Sequence, residues 1–234
     1  MEDRTRQVGE YLSGISSSET VQSAVKAGIG LIPIVGGPIS SVIGDVLSKR
    51  RFDDLMRLIE ELKKRVSGIE SELDSEYVKR DEFISLFERA AKEYVSTPDE
   101  VKKDYLVGLV VNSMKGPDDY YERDYFLRKV LEFSAVQLEL LRLYHGPKLA
   151  FEAKGLDTEK VRGMGYTQVV TTYLPGTNLD VIRAAHKDLY NLGFINTDSN
   201  VFGMMMGVTG FEALAGRVTP VGTKFVRICL VTSS

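Results

Sequence analysis

Hydrophobic positions recur at alternating steps of three and four residues between positions 52 and 73. This heptad spacing over three repeats predicts a long amphipathic helix from about residue 38 to about residue 74. Opposite charges four residues apart, such as Glu61 and Arg65, support the same helix on its other faces. The stripe predicts either a coiled-coil seam with a second copy or packing within the same chain. We favour packing within the chain, because three heptads are marginal for a dimer. Its members are Phe52, Leu55, Ile59, Leu62, Val66, Ile69 and Leu73.

Capping and breaking residues predict four shorter helices after this one. An apolar face marks residues 81–94, and Thr97-Pro-Asp-Glu100 has the form of a capping box with proline at the first helical position. The helix that follows ends at about residue 114, and another covers about residues 119–133. Ser134-Ala-Val-Gln137 forms a second capping box, before a helix that ends at His145. Residues 148–165 hold no long apolar run and predict a linker or a mobile insertion.

The last third of the chain mixes helix signals with strand signals. Asn178 is placed to cap a helix over residues 179–192 that ends at Gly193, and Thr219-Pro220 is placed to cap a last helix. Between them, residues 194–197 predict a strand, residues 203–216 a hairpin or loop, and residues 217–218 a strand end. Residues 166–173 fit a helix or a strand.

Two short motifs in this region carry a resemblance. Leu189-Tyr-Asn-Leu-Gly-Phe-Ile195 has the form of a helix that ends in glycine before an extended segment, and Val218-Thr-Pro-Val-Gly-Thr-Lys-Phe225 is similar to the LTPxGxxF closing helix. Through these motifs, residues 134–231 resemble a winged helix. The predicted fold is therefore mainly α, with three segments. They are an apolar helical hairpin with glycine and proline (1–47), a helical bundle with the heptad helix (48–133) and an α+β winged-helix-like domain (134–234).

The layout of the whole chain also resembles the Abi-alpha type of bacterial protein, which is associated with abortive infection by phage. The shared features are an apolar N-terminal stretch with glycine and proline, a K-x-x-Y-L helix (here Lys102 to Leu106), and the terminal TPxGxxF piece. The resemblance implies a bacterial or archaeal defence-associated protein, and it supplies no catalytic residues.

Composition removes several functional classes. The 234 residues include two histidines, one cysteine and no tryptophan, which excludes a disulfide scaffold, a zinc finger and any metal site rich in His or Cys. The sequence has no GxSxG, HExxH or P-loop string. We therefore expect a protein that is not an enzyme and that holds no cofactor and no metal. His145 is interpreted as a cation at a helix C-terminus, and Cys229 as a small core hydrophobe.

Residues 27–44 form an uncharged stretch of 18 residues, at the lower edge of membrane-spanning length. Because Pro33 and Pro38 divide it, contact with a bilayer requires a re-entrant hairpin or an oligomer, with the following cations at anionic headgroups. The alternative is a buried helical hairpin in a soluble bundle. The residues assigned to membrane contact or self-association are Gly28, Gly30, Ile32, Pro33, Ile34, Gly36, Gly37, Pro38, Gly44, Lys49, Arg50 and Arg51.

The winged-helix resemblance makes DNA binding an alternative function. The predicted recognition helix offers Asn178, Arg183, His186 and Lys187 for base contacts. Residues 194–216, the predicted wing, contain no Lys or Arg, so the expected positive surface is missing and a role in protein interaction or packing is favoured. The tract Met204-Met205-Met206 fits an adaptable apolar contact surface and equally fits core filling.

Charge is unevenly distributed along the chain. The formal net charge is -3, and residues 166–234 carry only five Lys/Arg and four Asp/Glu. The sequence thus predicts a cytoplasmic association protein, peripheral to the inner face of the membrane, that forms a homo-oligomer. It uses the apolar hairpin for a membrane surface or other copies, and the winged helix for a protein partner. The alternative is a DNA-binding transcription regulator that dimerises through the heptad helix.

Overall fold

The computed structural model describes residues 49–67, 69–116, 120–204 and 209–230. Within these residues the protein is mainly α-helical, as predicted. Short 3₁₀ turns connect several of the helices. The α-helices of the described residues are α1 (Lys49–Val66), α2 (Asp81–Ser96), α3 (Glu100–Ser113), α4 (Tyr120–Glu132), α5 (Ala135–His145), α6 (Pro147–Ala153), α7 (Tyr166–Tyr173), α8 (Leu179–Asn191) and α9 (Pro220–Cys229).

The chain divides into two compact units. Of the described residues, the first unit holds those up to Ser96 and from Ser113 to Gly116, and the second holds those from Thr97 to Asn112 and from Tyr120 onward. Most of α3 and all of α4 therefore belong to the second unit, together with the C-terminal helices. The division falls inside the predicted segment 48–133. The predicted boundary between residues 47 and 48 lies outside the described residues. Of the residues assigned to membrane contact or self-association, those from Gly28 to Gly44 also lie outside them, whereas Lys49, Arg50 and Arg51 lie at the start of α1.

In the first unit, α1 packs against α2 of the same chain. Leu55, Leu58, Leu62 and Val66 are at most 2% exposed, and the intervening seam residue Ile59 is half-buried. The buried face of α1 is therefore covered within the chain, in keeping with the intramolecular packing that the sequence favours. The side chain of Phe52 lies outside the description.

The prediction that the heptad helix extends to residue 74 is wrong, because α1 ends at Val66. The amide of Ser67 still donates to the carbonyl of Lys63 at 2.9 Å, but the amide of Ile69 donates to Val66, only three residues back, at 3.0 Å. This tighter spacing marks the change from α-helix to 3₁₀ turn, and the chain continues into the turn Glu70–Glu72. Ile69 and Leu73 are half-buried outside the helix whose pattern they continue.

The second unit is organised around aromatic rings from α3, α4, α9 and the segment after α8. Phe225 of α9 lies at the centre, with ring centroids 5.2 Å from Phe194, 5.4 Å from Phe126 and 5.7 Å from Phe133, each in an edge-on arrangement. Tyr105 of α3 lies 5.9 Å from the same ring. Edge-to-face packing of this kind is favourable beyond simple burial, so the cluster joins the four elements into one core.

Helix capping follows the sequence signals in three places and departs from them in one. Ser134 and Gln137 form the predicted capping box, with the amide of Gln137 donating to Ser134 Oγ at 3.3 Å and the amide of Ser134 donating to Gln137 Oε1 at 2.8 Å. Asn178 and Thr219 cap α8 and α9 as predicted. At α3, Asp99 rather than Thr97 is the cap, because its carboxylate accepts from the amides of residues 101 and 102.

The predicted linker over residues 148–165 is wrong in part. Gly146-Pro147 ends α5 but also starts α6, because proline fits the first turn of a helix. The turn Glu159–Val161 then leads to α7, which resolves the open choice at residues 166–173 in favour of a helix. The amide of Gly165 donates to the side chain of Gln168 at 3.0 Å at the start of α7.

The predicted strand 194–197 is also wrong, and of the hairpin or loop predicted over 203–216, the described residues fit the loop. Among the described residues, the pairing is a single antiparallel bridge between Ile195 and Val218, and the chain between them forms 3₁₀ turns at Ser199–Gly203 and Gly210–Leu214. The ladder stops because Asp198 turns the chain by accepting from the amide of Asn200 at 2.7 Å. The described part of the C-terminal region therefore lacks the β portion that the winged-helix resemblance predicts.

Candidate functional site

The exposed side of α8 is the surface where the sequence places DNA contacts. It carries Lys187, Ala184 and Val181, all exposed. The helix packs against α5 through its other side, where Ile182 and Leu189 are fully buried. The geometry thus presents one face of α8 to solvent, as a recognition helix requires.

Two of the four predicted base-reading residues are already engaged. Asn178 is the N-cap of α8, and its side-chain oxygen accepts from the amide of Asp180 at 2.7 Å. The guanidinium of Arg183 lies 3.6 Å from the carboxylate of Asp180. The helix carries Asp180 and Asp188 against Arg183 and Lys187, so its formal charges balance. A DNA-reading surface instead needs an excess of positive charge.

The third predicted residue, His186, is buried rather than exposed, so the prediction that it contacts nucleic acid is wrong. Its side chain has no solvent exposure. Nε2 donates to the carbonyl of Thr197 at 2.7 Å, and Nδ1 lies 3.0 Å from the hydroxyl of Tyr144 and 3.4 Å from that of Tyr166. With Nε2 as the donor, a neutral imidazole accepts at Nδ1 from Tyr144. Through its hydrogen bond to Thr197, His186 therefore holds the segment after α8 against the core.

Burial decides the charge state of this histidine. It lowers the pKa of His186, and the nearby Arg217 lowers it further, while hydrogen bonds and charge at Thr197 and Asp198 act in the opposite direction. Burial also raises the pKa of Tyr144, its hydrogen-bond donor. Both shifts favour the neutral forms, so His186 and Tyr144 form an uncharged hydrogen-bonded pair.

Arg217 completes the same cluster. Its guanidinium donates to Thr197 Oγ1 at 3.0 Å and to the carbonyl of Ala213 at 3.1 and 3.2 Å, and it lies 5.9 Å from the ring centroid of Tyr166. These contacts tie Arg217 to the side chain of Thr197 and to the carbonyl of Ala213. The cation that directly follows the predicted wing, Arg217, is thus engaged in intramolecular contacts.

An apolar surface that the sequence analysis missed lies where α4, the end of α8 and the start of α9 meet. We call it the aromatic face, and it consists of Tyr121 (81% exposed), Tyr125 (40%), Leu192 (43%) and Val221 (48%). Tyr125 stacks on Phe194 with ring centroids 6.5 Å apart. Solvent-exposed side chains of this size on three neighbouring elements are typical of contact surfaces.

Contacts beside the aromatic face hold its elements together. The hydroxyl of Thr219 donates to the carbonyl of Gly193 at 2.7 Å, which ties the start of α9 to the end of α8. Lys224 of α9 pairs with Glu122 of α4 at 2.5 Å. Tyr121 and Tyr125 are four residues apart on α4 and so share one side of it. The face is therefore built on packed helices.

The sequence contains a weak signal for the aromatic face but none for the cluster that His186 forms with Tyr144, Tyr166 and Arg217. Residues 120–125 (YYERDY) place two tyrosines at helical spacing among charged residues, a pattern that indicates exposed aromatic side chains. Tyr144, Tyr166 and Arg217 come from three distant parts of the chain, so only tertiary packing brings them to His186.

The two residues singled out for their chemistry also have structural places. Cys229 is fully buried in α9, as predicted for a core hydrophobe, and burial raises the pKa of its thiol. His145 is the last residue of α5, but burial and the nearby Arg227 lower its pKa. The predicted place of His145 at the helix C-terminus is confirmed, and its lowered pKa opposes the charged form.

The glycine- and proline-bearing hairpin and Met205-Met206 lie outside the described residues, while Met204 is 63% exposed. Among the helices that the structure describes, none has both the length and the apolar character needed to cross a bilayer. No protein-family model, curated protein or solved structure matches the chain. The resemblances to a winged helix and to the Abi-alpha type rest on the quoted motifs alone.

Proposed function

We propose that this protein is a non-enzymatic association protein that forms homo-oligomers, and that the aromatic face is the contact with a second copy. The observation that carries the proposal is the exposure of Tyr121 and its apolar neighbours on a rigid helical surface. Tyrosine is enriched at protein interfaces, where its ring buries much area at small entropic cost.

The charges around the aromatic face support a second copy as the occupant. The face is bordered by pairs of opposite sign, Glu122 with Lys224 and Asp124 with Arg128, the latter at 2.7 Å. A two-fold related copy presents the same patch in reverse, so that each positive group can meet a negative one. A partner that carries only one sign of charge gains no such match.

The predicted apolar hairpin has a complementary role in the proposal. The uncharged residues 27–44 provide contact with a membrane surface or reinforce self-assembly, and Lys49, Arg50 and Arg51 follow them as cations for anionic headgroups. Together with the Abi-alpha resemblance, this supports a defence-associated protein at the inner face of a prokaryotic membrane. We propose cytoplasmic residence on the same basis.

The mass of the protein in solution tests the proposal. We expect the full chain to be larger than a monomer by light scattering, and Tyr121→Ser with Val221→Ser to weaken association about ten-fold or more, since a central interface tyrosine typically contributes about 2 kcal/mol. Leu149→Ser is the matched control, because Leu149 is 65% exposed on α6 and does not belong to this face. A monomeric wild type, or a control that weakens association equally, contradicts the proposal.

The hairpin is tested separately with vesicles. We expect the full chain to co-sediment with vesicles that contain anionic phospholipid, and a variant lacking residues 23–47 to remain in the supernatant. If the deletion changes neither vesicle binding nor oligomeric mass, the role proposed for the hairpin is wrong, whereas the aromatic face is judged only by its own variants.

A winged-helix regulator is the second candidate. Its support is the order of α5, α7 and α8 followed by the bridge between Ile195 and Val218, with Lys187 exposed on α8. In this candidate the dimer forms through the heptad helix. The engaged Asn178 and Arg183 and the buried His186 favour association over DNA reading.

A further inference from the structure

An open cleft of about 620 Å³ lies in the second unit, between the turns Glu159–Val161 and Gly210–Leu214. Small-molecule sites commonly have volumes of about 300–1,000 Å³. Phe211 forms part of its wall and packs edge-on against Phe151 of α6, with ring centroids 5.2 Å apart. Through Phe211, one wall of the cleft is anchored to the helical core.

The backbone fixes the two sides of the cleft to each other. The amide of Gly210 donates to the carbonyl of Met164 at 2.7 Å. Gly210 has a φ of +65°, and a Cβ added to it would lie 3.3 Å from the carbonyl oxygen of Val161. On the opposite side, a Cβ added to Gly163 would meet nothing within 4 Å, so there is open space beside that glycine. The cleft is thus formed before any ligand arrives.

The charges that line the cleft are two of each sign: Lys148 and Arg162 are positive, and Glu159 and Glu212 are negative. Within the part of the chain that the structure describes, the side chains of Arg162, Glu159 and Glu212 make no hydrogen bond or ion pair. Lys148 lies 3.8 Å from Glu152. A purely anionic ligand is repelled by the two carboxylates and a purely cationic one by the two cations.

We propose that this cleft binds short peptides with free termini. The peptide carboxylate pairs with the guanidinium of Arg162, which can bind it in bidentate fashion. The ammonium group pairs with the carboxylates of Glu159 and Glu212, and Phe211 supplies apolar contact for a side chain. The volume accommodates a peptide of a few residues, and the site is independent of the aromatic face.

Calorimetric titration of the full chain with tetra-alanine tests the proposal. We expect the peptide with free termini to bind and the peptide with an acetylated N-terminus and an amidated C-terminus to bind at least five-fold more weakly. Arg162→Gln and Glu212→Gln should each lower affinity about five-fold, the equivalent of one exposed ion pair of about 1 kcal/mol. Both side chains are exposed, so these variants are expected to fold.

Lys160→Gln is the matched control. Lys160 belongs to the same turn and is exposed, but it pairs with Asp157 at 3.7 Å and does not line the cleft. Its loss should leave peptide affinity unchanged. Absence of binding by the free peptide, equal binding of the blocked peptide, or equal effects of Lys160→Gln and Arg162→Gln would overturn the proposal. Succinate binding as tightly as the peptide, sensitive to Arg162 alone, would indicate an anion site and overturn it as well.

Discussion

At the scale of single residues, His186 was predicted to contact DNA but has a structural role in the core. Its position on α8 suits a DNA contact, yet it is fully buried and its two ring nitrogens contact Thr197, Tyr144 and Tyr166. The sequence contains no signal for this, because the partners lie 42, 20 and 11 residues away along the chain. A buried histidine that is neutral in the folded state links stability to pH.

We predict that acid destabilises the protein through His186. Because the folded-state pKa is lowered, the unfolded chain binds the proton more readily. The contribution to stability is therefore complete above the unfolded pKa of about 6.5 and is lost as pH falls from there toward the folded pKa. Urea unfolding at pH 7.5 and 5 should give a smaller free energy of unfolding at the lower pH.

Two measurements separate His186 from other titrating groups. The imidazole of His186 in the wild-type protein should titrate below pH 6.5 by NMR, a result that needs no variant. In His186→Gln, the fall in the free energy of unfolding between the two pH values should be smaller than in the wild type. His145, whose pKa is also lowered, accounts for part of the remaining fall. An identical pH dependence in both proteins counts against the linkage.

At the scale of elements, α9 explains its own sequence motif. Thr219 caps the helix by accepting from the amide of Gly222 at 3.1 Å, Pro220 occupies the first turn, and Phe225 fills the centre of the aromatic core. Gly222 is needed for a close approach: a Cβ there would lie 2.2 Å from the carbonyl oxygen of Phe194. Each fixed position of the TPxGxxF piece thus has a physical reason.

We predict that Gly222→Ala destabilises the protein by about 1–3 kcal/mol, the usual range for an overpacked core. The added methyl group would meet backbone at Phe194 and the side chain of Val218, and backbone cannot move aside without breaking the bridge. Urea unfolding of the purified variant measures the change. Gly203→Ala is the control, since a Cβ at Gly203 meets nothing within 4 Å. A Gly222→Ala protein as stable as this control contradicts the close approach.

Helices could be predicted from the sequence where the residues that determine their ends lie close together along the chain. Capping residues at Ser134, Asn178 and Thr219 lie within three residues of the amides they satisfy, so they locate α5, α8 and α9 from sequence alone. Strand pairing depends on distant groups, and the side chains of Asp198 and Arg217 end it after one bridge. The heptad pattern failed for a related reason: apolar spacing continues past Val66 although the hydrogen bonds do not.

At the scale of the whole molecule, the distribution of charge bears on whether the protein binds DNA. The described side chains of α8 and the following turns balance cations with carboxylates, as Arg183 does with Asp180. We predict that fluorescence anisotropy with a duplex of mixed sequence shows no binding at low salt and micromolar protein, because few phosphates can be neutralised. Binding that weakens steeply with salt, and that is lost in Lys187→Gln but kept in Lys160→Gln, would instead establish the winged-helix alternative.

The single bridge between Ile195 and Val218 has one further consequence, which concerns how strands of other chains could attach. An exposed sheet edge offers a row of free amides and carbonyls, onto which an extended segment can add as a new strand. Within the described residues, the pairing is one residue pair long, and the carbonyls of Thr197 and Ala213 beside it are occupied by His186 and Arg217. Growth by strand addition has no template at this bridge. Copies that assemble there must recognise each other through side chains.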